Sequence, residues 1–182
     1  MSAEGPVLLD ACVLYPTVMR EILLGAAEAG AYRPLWSPRI LEEWRRAALR
    51  RSEADGAVAA GEIALVRARF PEAEIAPPPG AERALRLPDP DDAHVLAAAI
   101  AGRATAICTL NLRDFPSRLL APHGLEPTDP DRLLLRLMGQ GAPIPAVAEA
   151  VRAEAERLSG EPWEMRRLLR KARLPRLGRA LG

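Results

Sequence analysis

The chain has 182 residues, 49% of them hydrophobic, and a formal net charge of +1. This length and apolar content predict one domain with a substantial core and room for a small appendage, and the near-zero charge excludes a protein that is basic over its whole surface. The charge is uneven, because the segment from Trp163 to the C-terminus carries seven basic residues against one acidic residue. Such a segment suits either a polyanion-binding face or an ordinary solvated helix.

The first half of the chain predicts short strands that alternate with helices. The run Val7-Leu8-Leu9 is apolar without a break, which is typical of a strand buried on both faces. Ser37 followed by Pro38 provides an N-cap and a first-turn proline. The predicted elements are a strand at 7–9, a helix from Thr17 to Ala29 with Gly30 as its stop, an extended segment at 33–36, a helix from Ser37 to about Arg51, and a helix from Ala54 to Phe70.

The segment 89–100 is predicted to be a helix in which Asp92 occupies an unusual position. Asp89 is its N-cap and Pro90 its first helical residue. At about 100° per residue, Asp92 falls roughly 10° from the centre of the apolar stripe, whereas Asp91 falls roughly 110° away. A carboxylate directed at a core needs a cation, hydrogen-bond donors or a raised pKa. The structural alternative is that Asp92 closes a capping box with Asp89.

The second half of the chain predicts an α/β fold followed by a helical extension. A strand at 105–109 is rich in β-branched residues, and a weaker strand lies near 125–127. The alternation of strands and helices is typical of a three-layer α/β sandwich with a central, mostly parallel sheet. The sequence predicts a domain at 1–130 and a basic C-terminal helical extension at 131–182, with helices at 131–138, 146–158 and 161–172.

Four acidic residues are predicted to converge. Asp10 ends the first strand and Asp114 follows a later one, and sites in open parallel sheets form at the carboxyl ends of strands. Asp92 begins a helix, and Glu43 lies at the edge of a buried helix face, whereas Glu42 faces water. Grouped carboxylates repel one another unless a divalent cation lies between them, and an all-oxygen set suits Mg²⁺ or Mn²⁺. The chain has 24 acidic residues, so each position taken singly is weak evidence.

Two other classes of protein with a doubly wound parallel sheet are excluded because this chain lacks residues that they need. A dehalogenase-type phosphatase needs a second aspartate where Cys12 stands, and a receiver domain needs a core lysine, whereas the only lysine is Lys171. No glycine-rich phosphate loop is present. His94 and His123 have no partner at metal-ligand spacing, and His94 points away from the apolar stripe, so both are predicted to lie at the surface.

Four segments resemble, in order, the successive motifs of the PIN-domain ribonucleases, and the branch of VapC-like toxins with a C-terminal helical extension is the most similar. The segments are Leu9–Pro16, Trp36–Ser37 with Glu43–Trp44, Asp89–Ala99, and Thr109–Pro116. The resemblance covers about residues 5–130. No single motif is specific, and the strength of the resemblance comes from their order and spacing.

The resemblance implies a PIN-like fold and Mg²⁺- or Mn²⁺-dependent endonucleolytic cleavage of RNA to a 5′-phosphate and a 3′-hydroxyl, with a cognate antitoxin that blocks the site. By position it implies catalytic roles for Asp10, Glu43, Asp92 and Asp114, metal binding by Asp10, Asp92 and Asp114, and support from Thr109 and Asn111. Asn or Ser commonly occupies the position of Cys12, so we expect the loss of that hydrogen-bonding side chain to loosen Asp10 or to alter the metal preference.

Basic residues supply candidate RNA contacts. Arg113 is a candidate phosphate contact, although a plain surface arginine fits as well. The C-terminal segment contributes further candidates: Arg166, Arg167, Arg170 and Lys171.

Two other functions remain open from the residues: a non-catalytic PIN-like module that binds RNA or protein, and a housekeeping nuclease without an antitoxin. An antitoxin-like reading frame beside the gene would favour the toxin.

Cys12 and Cys108 lie in apolar runs, which predicts buried thiols in a reducing compartment. With no charged leader and no run of membrane-spanning length, we expect a cytoplasmic protein. A homodimer is also compatible with such a fold.

Overall fold

The computed structural model describes residues 4–182, and its centre is a four-stranded sheet in which every strand pairs in parallel with its neighbours. The predicted start of the nuclease domain at residue 1 lies outside the described residues. The strands are β1 (Val7–Leu9), β2 (Pro34–Leu35), β3 (Ala106–Cys108) and β4 (Glu126–Thr128), in the spatial order β2-β1-β3-β4. This parallel sheet flanked by helices confirms the predicted α/β class.

Ten α-helices are present in the described part of the chain. They are α1 (Ala11–Leu14), α2 (Thr17–Glu28), α3 (Pro38–Leu49), α4 (Glu53–Arg69), α5 (Ala93–Ala101), α6 (Ser117–Leu120), α7 (Pro130–Gly139), α8 (Ile144–Ser159), α9 (Met165–Lys171) and α10 (Pro175–Leu181). Short 3₁₀ turns lie at Ala81–Ala84, Pro90–Asp92, Leu112–Asp114 and Ala121–His123. The separate helix α10 was not predicted, because its pattern is short and merges with the basic run before it.

Helix starts follow the local sequence signals. The Ser37 hydroxyl accepts a hydrogen bond from the backbone N–H of Ile40 at 3.2 Å, which fixes the start of α3, and such caps typically contribute about 1 kcal/mol. The Asp89 carboxylate accepts from the N–H of Asp91 at 2.9 Å, as predicted. The turn at Pro90–Asp92 is 3₁₀, so α5 proper begins at Ala93.

One apolar core connects the sheet with the C-terminal helices. Leu8 and Ile107 of the central strands are fully buried, and so are Leu134 of α7 and Leu169 of α9. Helix α8 packs on α2, and α9 packs on α10. The last four helices therefore share the core of the sheet, while the division of the chain at residue 130 remains a prediction. Within residues 4–182, no helix is both long enough and apolar enough to cross a bilayer.

Candidate active site

The site begins where β1 and β3 end side by side. The two strands pair in register, with Leu9 beside Cys108, so Asp10 and Thr109 emerge next to each other at the carboxyl edge of the sheet. The Thr109 hydroxyl, which is fully buried, donates a hydrogen bond to Asp10 Oδ2 at 2.7 Å. The neighbouring strand pairing thus places a donor against the first of the predicted acids.

The carboxylate of Asp10 is held from several directions. Its Oδ1 accepts from the backbone N–H of Ala11 at 2.7 Å, which caps α1. Its Oδ2 accepts from Cys12 Sγ at 3.2 Å as well as from Thr109. Only 6% of Asp10 is exposed. Donors to an ionised carboxylate form charge-assisted hydrogen bonds, which are stronger than neutral ones, so this side chain has a fixed orientation.

Cys12 holds Asp10 through a hydrogen bond, so the expectation that the loss of Asn or Ser at this position loosens Asp10 is wrong. The thiol donates to Asp10, and its sulfur accepts from the backbone N–H of Leu110 at 3.3 Å. Burial, and then the charge of Asp10, raise the pKa of Cys12 to about 12. Cys12 therefore stays protonated and serves as a donor that links α1 to the loop after β3, rather than as a nucleophile.

The loop after β3 is tied back onto the site by Thr109. The backbone N–H of Asn111 donates to the Thr109 hydroxyl at 3.0 Å. Thr109 therefore accepts from the loop while it donates to Asp10. The two residues predicted to support the acids thus belong to one hydrogen-bond chain with Asp10.

Asp92 is held quite differently from Asp10. Its carboxylate accepts no hydrogen bond from the backbone N–H of Asp89 or of α5 within residues 4–182, and Asp89 caps Asp91, so the capping-box alternative is wrong. Asp92 also forms no ion pair in the same range. Burial, and then the charges of Asp10, Asp89 and Asp114, raise the pKa of Asp92 to about 6. The shift indicates negative charge around Asp92 that the described residues do not neutralise.

Glu43 and His94 form a pair that sequence analysis missed. The Nε2 atom of His94 lies 2.7 Å from Glu43 Oε1, and only 4% of the His94 side chain is exposed. Its Nδ1 is also buried and has no hydrogen-bond partner among the described residues. The prediction of a surface histidine is therefore wrong. The reason is that α5 is buried from Ala93 to Ala99, on its polar as well as its apolar side.

Glu42 and Glu43 are about equally exposed, at 36% and 37%, but they have different partners. The Glu42 carboxylate binds Arg45 and Arg46, and these two guanidinium groups lower the pKa of Glu42 to about 2. Glu43 instead lines a cavity and has Arg39 Nε at 3.6 Å from its Oε1. Of the two neighbours, only Glu43 reaches the site.

Three of the four predicted acids line one cavity of about 440 Å³: Asp10, Glu43 and Asp92. Asn111 lines it too, whereas Thr109 lies behind Asp10. Asp114 does not line the cavity, although its charge acts on Asp92. It sits in a 3₁₀ turn, with Arg113 Nε at 3.6 Å from its Oδ1. The side chain of Arg113 is 89% exposed.

The donor set at this cavity fits a hard divalent cation only with help from water. Carboxylate, hydroxyl and amide oxygens are the ligands that Mg²⁺ and Mn²⁺ prefer, and neither Asp10 nor Asp92 has an ion-pair partner within residues 4–182. In the same described range, no three His, Cys, Asp or Glu side chains are grouped closely enough to hold a metal ion by themselves. Mg²⁺ usually keeps several waters, so two carboxylates and water suffice.

A larger cavity of about 600 Å³ adjoins the acidic one. The two cavities share the lining residues Cys12, Tyr15, Trp44 and Asn111. Lys171, at the end of α9, lines the larger cavity. Arg166, Arg167 and Arg170 are exposed on α9 and line neither cavity. Lys171 Nζ lies 4.9 Å from the centre of the Trp163 ring, and the Arg167 guanidinium lies 5.5 Å from it.

Comparison with known proteins identifies the family. A family model described as PIN domain matches residues 6–113, which is more than half of the chain. The protein belongs to the PIN domain family. No curated protein and no solved structure matched the chain. PIN domains are generally nucleases that act on RNA with divalent metal ions, so the acidic cavity is the candidate active site of a nuclease. The match ends one residue before Asp114.

Proposed function

We propose that this PIN domain is an endoribonuclease that uses Mg²⁺ or Mn²⁺ to hydrolyse RNA phosphodiester bonds, and that it acts as the toxin of a toxin–antitoxin pair. One observation carries the catalytic part. Asp10 and Asp92 line the same cavity, lack cationic partners within residues 4–182, and lie close enough for Asp10 to contribute to the raised pKa of Asp92. This is the electrostatic arrangement that a divalent cation relieves.

Asp10, Asp92 and Asp114 are the proposed metal-binding residues, with Asp114, which does not line the cavity, acting through water. Bound there, the ion would neutralise the nonbridging phosphate oxygens and acidify a water molecule. Asp10 is pre-oriented by Thr109, Cys12 and the N–H of Ala11. Asp92 needs no rearrangement of hydrogen bonds to bind, because its carboxylate caps no backbone N–H.

Glu43 is proposed to orient the attacking water. Its carboxylate lines the cavity on the opposite helix from Asp92, and the contact with the buried His94 restricts its movement. Asn111 lines the same cavity, and its backbone is tied to Thr109. Both residues can contact the substrate or its water shell without themselves holding the ion.

Basic residues away from the acids are proposed to attract the RNA. Arg113 is almost fully exposed beside Asp114, and Arg166, Arg167 and Arg170 are exposed on α9, next to Lys171. Exposed cations of this kind contact phosphates without reading bases. Their contribution should weaken as the salt concentration rises.

RNA digestion tests the catalytic proposal. Wild-type protein is incubated with a mixed-sequence single-stranded RNA in Mg²⁺, in Mn²⁺ and in EDTA, beside Asp10→Asn, Asp92→Asn and the exposed control Asp91→Asn. We expect cleavage in either metal, none in EDTA, and a loss of at least about 100-fold in the first two variants, since the ion contributes several kcal/mol to the transition state. Equal cutting by all four proteins would refute the assignment.

The biological role needs a separate test. Expression of a toxin should arrest growth, and co-expression of a small protein encoded beside it should restore growth and abolish the RNase activity of the purified complex. Growth that is unaffected by an active enzyme would favour a housekeeping nuclease.

We propose the cytoplasm as the place where this protein acts, because Cys12 and Cys108 are both free thiols. Mass measurement in solution would detect a homodimer.

A further inference from the structure

We propose that a single-stranded RNA segment leaves the acidic cavity through the adjoining larger cavity, where Lys171 and Arg173 of the C-terminal segment bind its phosphates and Tyr15 stacks on a base. This inference rests on the proposed nuclease function, because it takes the acidic cavity as the point of cleavage. It assigns the C-terminal helices a direct part in the substrate path. We call the two joined cavities the substrate groove.

The two cavities of the groove adjoin at shared side chains. Tyr15 and Asn111 belong to the walls of both cavities, as do Cys12 and Trp44. A chain bound over Asp10 therefore needs to pass only these side chains to reach the larger cavity. The combined space is of the order of 1,000 Å³, the upper end of the volumes typical of ligand pockets, which leaves room for a few nucleotides.

Both cavities carry charges of both signs, since Arg46 and Arg50 line the acidic cavity beside its carboxylates, and the larger cavity adds two cations that have no ion-pair partner within the described residues. In the larger cavity, Arg51 is paired with Asp55 and Glu62 is paired with the buried Arg20. Those four charges largely cancel. Lys171 and Arg173 line the same cavity, are exposed, and have no ion-pair partner within residues 4–182. They remain available for anionic oxygens.

The segment that carries Lys171 and Arg173 is anchored in the core. Leu169 and Leu174, on either side of Lys171 and Arg173, are fully buried, and the N–H of Leu174 donates to the carbonyl of Leu169 at 2.8 Å. Arg173 adopts φ +60°, a left-handed conformation that is uncommon for residues other than glycine. A sharp turn anchored at both ends therefore presents the two cations to the groove.

Single-stranded RNA is the substrate form that this groove fits. Tyr15 is half-buried at the junction of the cavities, and its hydroxyl accepts a hydrogen bond from Arg51 at 3.3 Å. Unpaired bases stack on such aromatic side chains, whereas bases in a duplex are already stacked and paired. Asp10 is also recessed, with only 6% exposed. A flexible single strand can bend into that recess.

The test compares two double variants of the full chain with the same loss of charge in the same segment. Lys171→Ala/Arg173→Ala removes the groove cations. The matched control, Arg176→Ala/Arg179→Ala, removes two exposed arginines of α10 that line neither cavity. Binding of a fluorescent single-stranded hexaribonucleotide is measured by anisotropy in EDTA, so that the Kd does not depend on cleavage.

We expect the groove variant to raise Kd about tenfold and to reduce the slope of log Kobs against log salt by roughly 1.4, which is 0.7 for each of two phosphates. The control should change Kd less than about twofold.

The stacking role of Tyr15 and the preference for single strands are tested separately. Tyr15→Leu should weaken binding and Tyr15→Phe should not, and a six-base-pair duplex should bind more weakly than the single strand. Equal losses of affinity in the two double variants, or no measurable binding by the wild-type chain, would refute the proposal that the groove binds RNA.

Failure of the groove is distinguishable from failure of the nuclease proposal. Cleavage by the wild type in Mg²⁺, together with equal binding losses in both double variants, would refute the proposed RNA path and support the nuclease function. Selective binding loss in Lys171→Ala/Arg173→Ala without any cleavage would support the groove and remove the catalytic role.

Discussion

The carboxyl edge of β1 and β3 and the start of α5 each contribute an aspartate to the same cavity, but they hold it in opposite ways. Asp10 is buried and accepts hydrogen bonds from a backbone N–H, a hydroxyl and a thiol. Asp92 caps no backbone N–H, and its pKa is raised to about 6 by burial and by neighbouring carboxylates. The fold thus stabilises the charge of Asp10 without any ligand. The charge of Asp92 depends on a bound cation for its stabilisation.

The largest expected effect of this difference is on the stability of the metal-free protein. Asp10→Asn replaces a carboxylate oxygen with an N–H donor and sets it against existing donors, so we expect a loss of about 2–3 kcal/mol in the free energy of unfolding. Asp92→Asn removes an unfavourable charge, so we expect it to raise stability at pH 7.5. Urea denaturation in EDTA measures both changes.

Asp91→Asn is the control for the second variant, because Asp91 is an exposed neighbour. Adding Mg²⁺ should stabilise the wild type by mass action and should stabilise Asp92→Asn much less. A destabilised Asp92→Asn protein in EDTA would contradict the contrast between the two aspartates.

The second prediction concerns the contact between α5 and α3. His94→Leu removes the nitrogen that lies 2.7 Å from Glu43, and we expect kcat to fall about tenfold, equivalent to about 1.4 kcal/mol, with little change in KM. His94→Gln keeps a nitrogen donor in reach of Glu43 and should retain most of the activity. Steady-state kinetics on a fluorogenic RNA measures both parameters.

A double-mutant cycle separates positioning from general destabilisation. If His94 acts through Glu43, His94→Leu should cost little in a Glu43→Gln background. Additive losses, or an equal fall in kcat for Leu and Gln at position 94, would show that His94 serves only the packing of α5.

The two regions also differ in how far the sequence predicted them. Asp10 and the loop that carries Asp114 could be placed at one edge because parallel strands end at the same edge of a sheet, and the inward direction of Asp92 followed from helical spacing. The hydrogen bond from Thr109 to Asp10 was not predicted. The burial of His94 could not be predicted, since periodicity finds the apolar face of a helix but cannot tell whether the polar face is covered as well. The donor role of Cys12 was missed because a thiol was treated as an apolar side chain. Asp114 lies in a 3₁₀ turn and does not line the cavity, which its position after a strand did not predict.

The third prediction is the pH dependence of Asp92. Its pKa is about 6 in the folded protein, above the ordinary value of 3.8, so the folded state binds the proton more tightly than the unfolded state between these values. The contribution of Asp92 to the free energy of unfolding of the metal-free protein should therefore fall as pH rises from about 4 to about 6 and then level off. The stability advantage of Asp92→Asn should grow over the same interval. A constant difference between the two proteins from pH 4 to 7.5 would contradict the raised pKa.

The smallest expected effect is at Cys12, which distinguishes support of Asp10 from reactivity of the thiol. Cys12→Ser keeps a donor beside Asp10 Oδ2 and should change both stability and cleavage only slightly. Cys12→Ala removes the donor to Asp10 and the acceptor of the Leu110 N–H, so we expect a loss of about 1 kcal/mol in unfolding free energy and a severalfold fall in kcat. Since the pKa of Cys12 is raised to about 12, iodoacetamide should react slowly with the folded protein at pH 8. Rapid alkylation, or equal losses in the Ser and Ala variants, would mean that the sulfur itself has a role that a hydrogen-bond donor cannot replace.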